Sequence, residues 1–348
     1  MIIDKVQIIS WLLTRRCNLD CSYCAIVKNY QNKPQSYPKI KHYIGQEMTT
    51  EYVIETLKKI KLHNPDAFHL LYGGEPLFRK DLPEIINFCN DNDIHYTIIT
   101  NNTDAVQPMI EDLISKTSYI QGLTSSIDPL ILDDDSETDN DRYKKCVAGI
   151  ARLQKYKGKI NDLVAEITVD NTNIDHLYNL VKMLTDMGIN SDITTVDIKK
   201  NMYYDFSNVS DEKLLVPKSD KVKGIFQKII DDKLNVHMAD TLLMKIWDIL
   251  PANLNCGLEN NVHNMTIDAD GSLRLCLRIR GVVTPNLKAY DGIMSNGKLH
   301  PSYKDFIRID KQNYCKGCDW SCPIMSLMIS EESENVDNLI HKEVRDGF

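Results

Sequence analysis

The chain has 348 residues, 43% of them hydrophobic and 26% charged, with a formal net charge of −8. That length fits one large domain plus a smaller one, and the negative balance excludes a global basic footprint for nucleic acid. No stretch approaches the roughly 20 apolar residues of a bilayer-spanning helix, and Asp4 and Lys5 stand where a signal peptide would begin its apolar core, so the expected location is cytoplasmic.

In chain order, residues 7–13 are an apolar, β-branched run that predicts the first strand. A cysteine group follows at once: Cys17, Cys21 and Cys24, spaced C-x3-C-x2-C, with Tyr23 before the third. Three thiolates on one short loop hold three irons of a [4Fe–4S] cube and leave the fourth iron open. An open coordination position is what separates a catalytic metal site from a structural one. The alternative on spacing alone is zinc with a fourth ligand such as His42. Thr14-Arg15-Arg16 places two cations beside this loop, a candidate docking point for an acidic electron donor.

Residues 51–60 then read as an amphipathic helix, with Val53, Ile54, Leu57 and Ile60 at helical spacing. A second strand is expected over 67–72 and leads into Gly73-Gly74-Glu75-Pro76. Two glycines admit a close backbone approach and the glutamate offers an acceptor, although Gly-Gly with Pro is also an ordinary turn. Helix 81–89 carries Pro83 in its first turn, where the missing N–H is harmless. Strand 95–100 ends at Thr100-Asn101-Asn102, and strand 119–127, after helix 106–115, ends at Ser125-Ser126-Ile127-Asp128. Such polar ends serve equally as caps and turns. Helix 143–156, strand 163–169, helix 174–187 with Gly188 as its cap, and strand 190–196 complete the alternation. Cys89 and Cys146 fall within helical patterns and are expected to be small buried hydrophobes.

Six strand–helix units imply a parallel sheet with right-handed crossovers, fewer than the eight of a closed barrel. The expected fold is α/β: a partial (β/α)6 TIM-like barrel over 1–200, with its site at the carboxyl ends of the strands. Residues 201–255 read as a helical bridge, with helices over 221–231 and 239–250. A small cysteine-rich C-terminal domain covers 256–330, with a hairpin turn at Asp270-Gly271, and a charged tail covers 331–348. The second domain carries Cys256, Cys276, Cys315, Cys318 and Cys322; a structural zinc ribbon is its alternative reading.

The first cysteine loop, with Tyr23, resembles the signature of the radical S-adenosylmethionine (SAM) enzymes. The resemblance covers residues 7 to 200 and rests mainly on the three cysteines. It implies that Cys17, Cys21 and Cys24 hold a [4Fe–4S] cluster whose open iron binds SAM, and that Tyr23 packs near the adenine. It further implies that Gly73, Gly74, Glu75 and Pro76 form the turn that binds the SAM amino group, and that Asn101, Ser126 and Asp128 line the SAM pocket. The second group is similar to the auxiliary-cluster domains of that family, the full form (SPASM) or the shortened one (twitch). Five cysteines fit one auxiliary [4Fe–4S] cluster, hence the shortened form, with the choice of four ligands left open. The expected chemistry is hydrogen abstraction by a 5′-deoxyadenosyl radical, ending in net oxidation of a small-molecule or nucleotide-type substrate. A flavodoxin or ferredoxin would supply electrons. A ribosomal-peptide maturase is the alternative; with the first strand near residue 7, no leader-binding domain is expected ahead of it, so a separate protein would serve. A non-catalytic iron–sulfur or zinc redox-sensing protein is the alternative of another class.

Overall fold

A computed structural model describes residues 8–19, 47–127, 140–196, 216–237, 264–271, 273–274, 294–295 and 298–299. Strands and helices alternate: β1 (Ile8–Thr14), α1 (Thr50–His63), β2 (Phe68–Gly73), α2 (Leu82–Asp91), β3 (His95–Thr100), α3 (Gln107–Lys116), β4 (Ile120–Ile127), α4 (Asn140–Tyr156), β5 (Ile160–Val169), α5 (Leu177–Asp186) and β6 (Asn190–Thr195). Then come α6 (Asp220–Asp231), β7 (Asn264–Ile267), β8 (Leu273–Arg274), β9 (Met294–Ser295) and β10 (Lys298–Leu299). β1 to β6 pair in sequence order, all parallel, as expected of an open, TIM-like α/β barrel.

The helix ends follow local chemistry. Thr49 caps α1, its hydroxyl accepting from the Tyr52 N–H at 3.2 Å. Ser219 caps α6 in the same way. Gly188 ends α5 with φ +67°, a left-handed turn that glycine enters without Cβ strain. Alternate residues of the strands bury a core beneath the helices that includes Trp11, Leu57, Ile85, Leu153 and Leu180. Within it, the Trp11 indole N–H donates to His69 Nδ1 at 2.9 Å, and burial pushes the His69 pKa down to about 3, keeping the ring a neutral acceptor. Cys89 and Cys146 are buried in α2 and α4, and burial pushes the Cys89 thiol up to about 12, in keeping with an inert core residue.

The sheet does not end at β1. β7 pairs with it in parallel, Ile8 against Asn264 through Trp11 against Ile267. β8 returns antiparallel to β7 through a turn in which Gly271, at φ +83°, donates its N–H to the Asp268 carbonyl at 2.8 Å. The first strand of the C-terminal segment thus completes the barrel sheet. At the other edge, residues 235–237 lie beside β6: Ser191 N donates to the Asn235 carbonyl and His237 N to the Ser191 carbonyl, each at 2.9 Å. The expected helix over 239–250, the five C-terminal cysteines and the charged tail lie outside the described residues. No helix among the described residues is long and apolar enough to cross a membrane.

Candidate active site

β1 delivers Cys17 to the carboxyl end of the sheet, where β2, β3 and β4 also end. The thiol is partly exposed and faces two donors, the Leu19 N–H at 3.4 Å and Asn101 Nδ2 at 3.7 Å. N–H groups aimed at sulfur temper the charge of a thiolate-held cluster. Asn101 is itself held. Its amide donates to Asn18 Oδ1 at 2.9 Å, and its carbonyl oxygen accepts from the Thr103 hydroxyl at 3.0 Å. Asn101 thus connects the end of β3 to the cysteine loop.

The two glycines at the end of β2 serve this loop. Gly74 N donates to the Thr14 carbonyl at 2.8 Å and Glu75 N to the Arg16 carbonyl at 2.7 Å. A Cβ on Gly73 would lie 2.2 Å from the Thr14 oxygen, and one on Gly74 would lie 2.4 Å from the Arg16 oxygen. The close approach inferred from the sequence is therefore made to the chain's own cysteine loop. Pro76 starts the short 3-10 turn 76–78, and Glu75 caps it.

The Glu75 carboxylate is fully buried. It accepts from Leu77 N at 3.2 Å, the Thr100 hydroxyl at 2.9 Å and Asn101 N at 2.8 Å. Burial pushes its pKa up to about 7 in spite of these donors. The acceptor that the sequence offers to a ligand is committed inside the protein, binding the glycine turn to the end of β3.

One of the two arginines corrects the sequence reading. Arg15 is not a surface cation: its side chain is 9% exposed and pairs with Asp268, which is wholly buried at the end of β7. Arg16 is more exposed, and Glu47 takes it by a two-pronged contact, Nε to Oε1 at 3.1 Å and Nη2 to Oε2 at 2.9 Å. Thr14 also donates to Glu47. Nothing in the sequence pattern names Glu47 or Asp268, because each meets the loop only through the fold.

Ser126 is exposed on β4, on the sheet face turned away from the helices, and stands in register with Glu166 on β5. Its neighbour Ser125 is buried against the other face. Cys21, Cys24, Tyr23, His42 and Asp128 lie outside the described residues. Among the described residues no three His, Cys, Asp or Glu side chains form a metal-binding group. What is described fits a thiolate-held cluster at Cys17: a partly exposed sulfur at the catalytic end of the sheet, met by two N–H donors.

A model of the Radical SAM superfamily matches residues 11–198, just over half of the chain. An uncharacterised protein from Methanocaldococcus jannaschii is 27% identical over 194 residues, covering 54% of this chain and 62% of its own. A GTP 3′,8-cyclase from Clostridium botulinum is 22% identical over 309 residues, covering 83% of this chain and 86% of the cyclase. Among solved structures, SuiB of Streptococcus suis bound to its precursor peptide SuiA matches with a TM-score of 0.57 at 14% identity, covering 83% of this chain and 64% of SuiB. At that identity the likeness is one of fold. The chain spans less than two thirds of the length of the Methanocaldococcus protein and of SuiB.

Proposed function

Because the chain belongs to the Radical SAM superfamily, whose members use a [4Fe–4S] cluster and SAM, we propose that it holds that cluster on Cys17, Cys21 and Cys24 and oxidises a ligand seated in the barrel. When bound, cluster and SAM supply a 5′-deoxyadenosyl radical able to take a hydrogen atom from an unactivated C–H bond. The observation that carries this reading is the position of Cys17, braced by the glycine turn and met by the Asn101 amide.

The chain's own residues orient and enclose. Asn101 aligns the cysteine loop with the end of β3. The Glu75 carboxylate is occupied within the fold, so the amino-group contact expected at this turn falls to its backbone. Ser126, on the exposed face of β4, and Asp128 beyond it would line the SAM pocket, and Tyr23 would cover the adenine. The SAM positions and the domain boundary at residue 256 are proposals. So is one auxiliary [4Fe–4S] cluster on four of Cys256, Cys276, Cys315, Cys318 and Cys322, which would accept the substrate electron. A flavodoxin or ferredoxin would reduce the first cluster.

The substrate we favour is a small molecule or nucleotide, in line with the similarity to a GTP 3′,8-cyclase along most of both chains. The second reading, a peptide substrate, draws on the fold shared with SuiB bound to a precursor peptide.

Anaerobic reconstitution with counting of iron, sulfide and zinc is the test. About eight irons in the wild type, falling to about four in Cys17→Ala/Cys21→Ala/Cys24→Ala, is expected for two clusters. Dithionite and SAM should yield 5′-deoxyadenosine from the wild type alone. No iron in the wild type, or no cleavage of SAM by the iron-loaded protein, would overturn the proposal in favour of a zinc or redox-sensing protein.

A further inference from the structure

The face of the sheet turned away from the helices has two unlike halves. On β1 to β3 it presents Phe68, Leu70 and Ile99, with Tyr72 further along β2. On β4 to β6 it presents Ser126, Glu166, Thr168, Asp192 and Thr194, each at least partly exposed. Strand alternation assigns these sides: residues 163, 165, 167 and 169 of β5 join the core beneath the helices, which leaves Glu166 and Thr168 on the lumen side. Register places Glu166 between Ser126 and Asp192.

Glu166 differs from the acids around it. Asp192 has a partner, His237 Nδ1 at 3.7 Å, and His237 is itself held by Asn190 at 3.1 Å. Asp162, lower on β5, lies in the field of the same histidine. Among the described residues Glu166 has no hydrogen-bond or ion-pair partner, and its side chain is half-buried on the face turned away from the helices. Burial, with the Asp192 charge added, pushes its pKa up to about 7. No lysine or arginine occurs in β4, β5 or β6, so these strands hold no counter-charge for it. A half-buried carboxylate without a partner is destabilised unless something supplies one.

We propose that Glu166 is a substrate-binding residue, and that the group it receives is a cationic nitrogen, an ammonium or a guanidinium, on a ligand lying against β4 to β6. This deepens the proposed function and rests on it. A cation there gains a charge-assisted hydrogen bond in a half-buried site, and Thr168, on the same face of β5, offers an acceptor beside it. The apolar half of the lumen would take the uncharged part of the same ligand.

The test uses the anaerobically reconstituted protein with SAM bound, and as probes propylguanidine and its neutral isostere propylurea, titrated by calorimetry at pH 8. A preference for the guanidine of about tenfold or more is expected in the wild type. In Glu166→Gln the preference should collapse to within about twofold, with SAM affinity retained. Asp192→Asn, which keeps Glu166, should retain a preference, and it serves as the reporter if Glu166→Gln fails to fold. Lowering the pH to 6 should weaken guanidine binding, because Glu166 then takes up its proton; His237, Asp192 and Asp162 are the other titratable groups facing this wall.

No preference in the wild type, an unchanged preference in Glu166→Gln, or no preference in Asp192→Asn would overturn the proposal. A loss of SAM affinity in Glu166→Gln would also overturn it, by making the wall part of the SAM site. Failure of the wild type to cleave SAM is a separate result that removes the proposed function itself.

Discussion

A carboxylate that keeps its proton to near neutral pH works against the fold that holds it, and Glu166 is such a group. Its native pKa is about 7 against an ordinary 4.5, so between those values the native state binds more protons than the unfolded one, and stability falls as pH rises. The penalty is absent below about 4.5 and full above about 7. Glu166→Gln removes it. The ligand-free variant should match the wild type in denaturant titrations near pH 4.5 and exceed it by about 2 kcal/mol at pH 8, allowing for the partial exposure of Glu166. Glu75 titrates over the same window but is present in both proteins, so the difference isolates Glu166. Gly74 makes a second residue-scale case. In Gly74→Ala the methyl meets the Arg16 carbonyl, which is backbone and has no rotamer to give. The variant should reconstitute with about four fewer irons, because the displaced strip carries Cys17. Gly224→Ala, on the exposed face of α6 with nothing within 4 Å of the added methyl, should instead gain about 1 kcal/mol of helix stability. Equal behaviour of the two variants would remove the close-approach account of Gly74.

Among the elements, β7 joins distant parts of the chain. Its four residues pair with β1, and the turn that follows reaches back to α1: Met48 N donates to the Ala269 carbonyl at 2.7 Å, and the Tyr52 hydroxyl to the Gly271 carbonyl at 3.3 Å. The buried Arg15–Asp268 pair closes this contact. Removing one member of a buried pair strands the other charge. Asp268→Ala should therefore lower stability by about 3 kcal/mol in denaturant titrations, and a change within ordinary surface values would show the pair to be dispensable. β7 also marks where the sequence stopped being legible. β1 to β6 announce themselves as apolar, β-branched runs separated by helical periodicity, and each lies within about three residues of its expected bounds at either end. Asn-Met-Thr-Ile has no such pattern, and its partner lies more than 250 residues earlier. The same distance hid the role of Arg15, which was expected to help dock an electron donor because Asp268 belongs to another part of the chain. The glycine turn was legible as a place of close approach, but what approaches it is visible only once β1 and β2 are side by side.

At the scale of the whole molecule, the site is divided by the sheet it stands on. The cysteine loop and the glycine turn occupy the ends of β1 and β2, the Asn101 network joins them to β3, and the polar wall lies on β4 to β6. Parallel strands deliver all of these to one rim, as expected of barrels of this kind. The division also separates two tasks. Residues near β1 to β3 fix the cluster loop through local backbone contacts, whereas β4 to β6 leave side chains open toward a ligand. Variation among related proteins is thus expected to fall on the second wall without disturbing the first.

The pairing of β1 with β7 has a consequence for the living cell. β1 is made before β7, so its second neighbour arrives only after residue 267 has been made. Until then the strand that leads into Cys17 has an unpaired edge, open to other chains. Contacts of such long range form late because the loop between them must first be closed. The cysteine loop therefore gains its full support only once β7 has been made, and a cluster delivered earlier would meet a site still able to let it go.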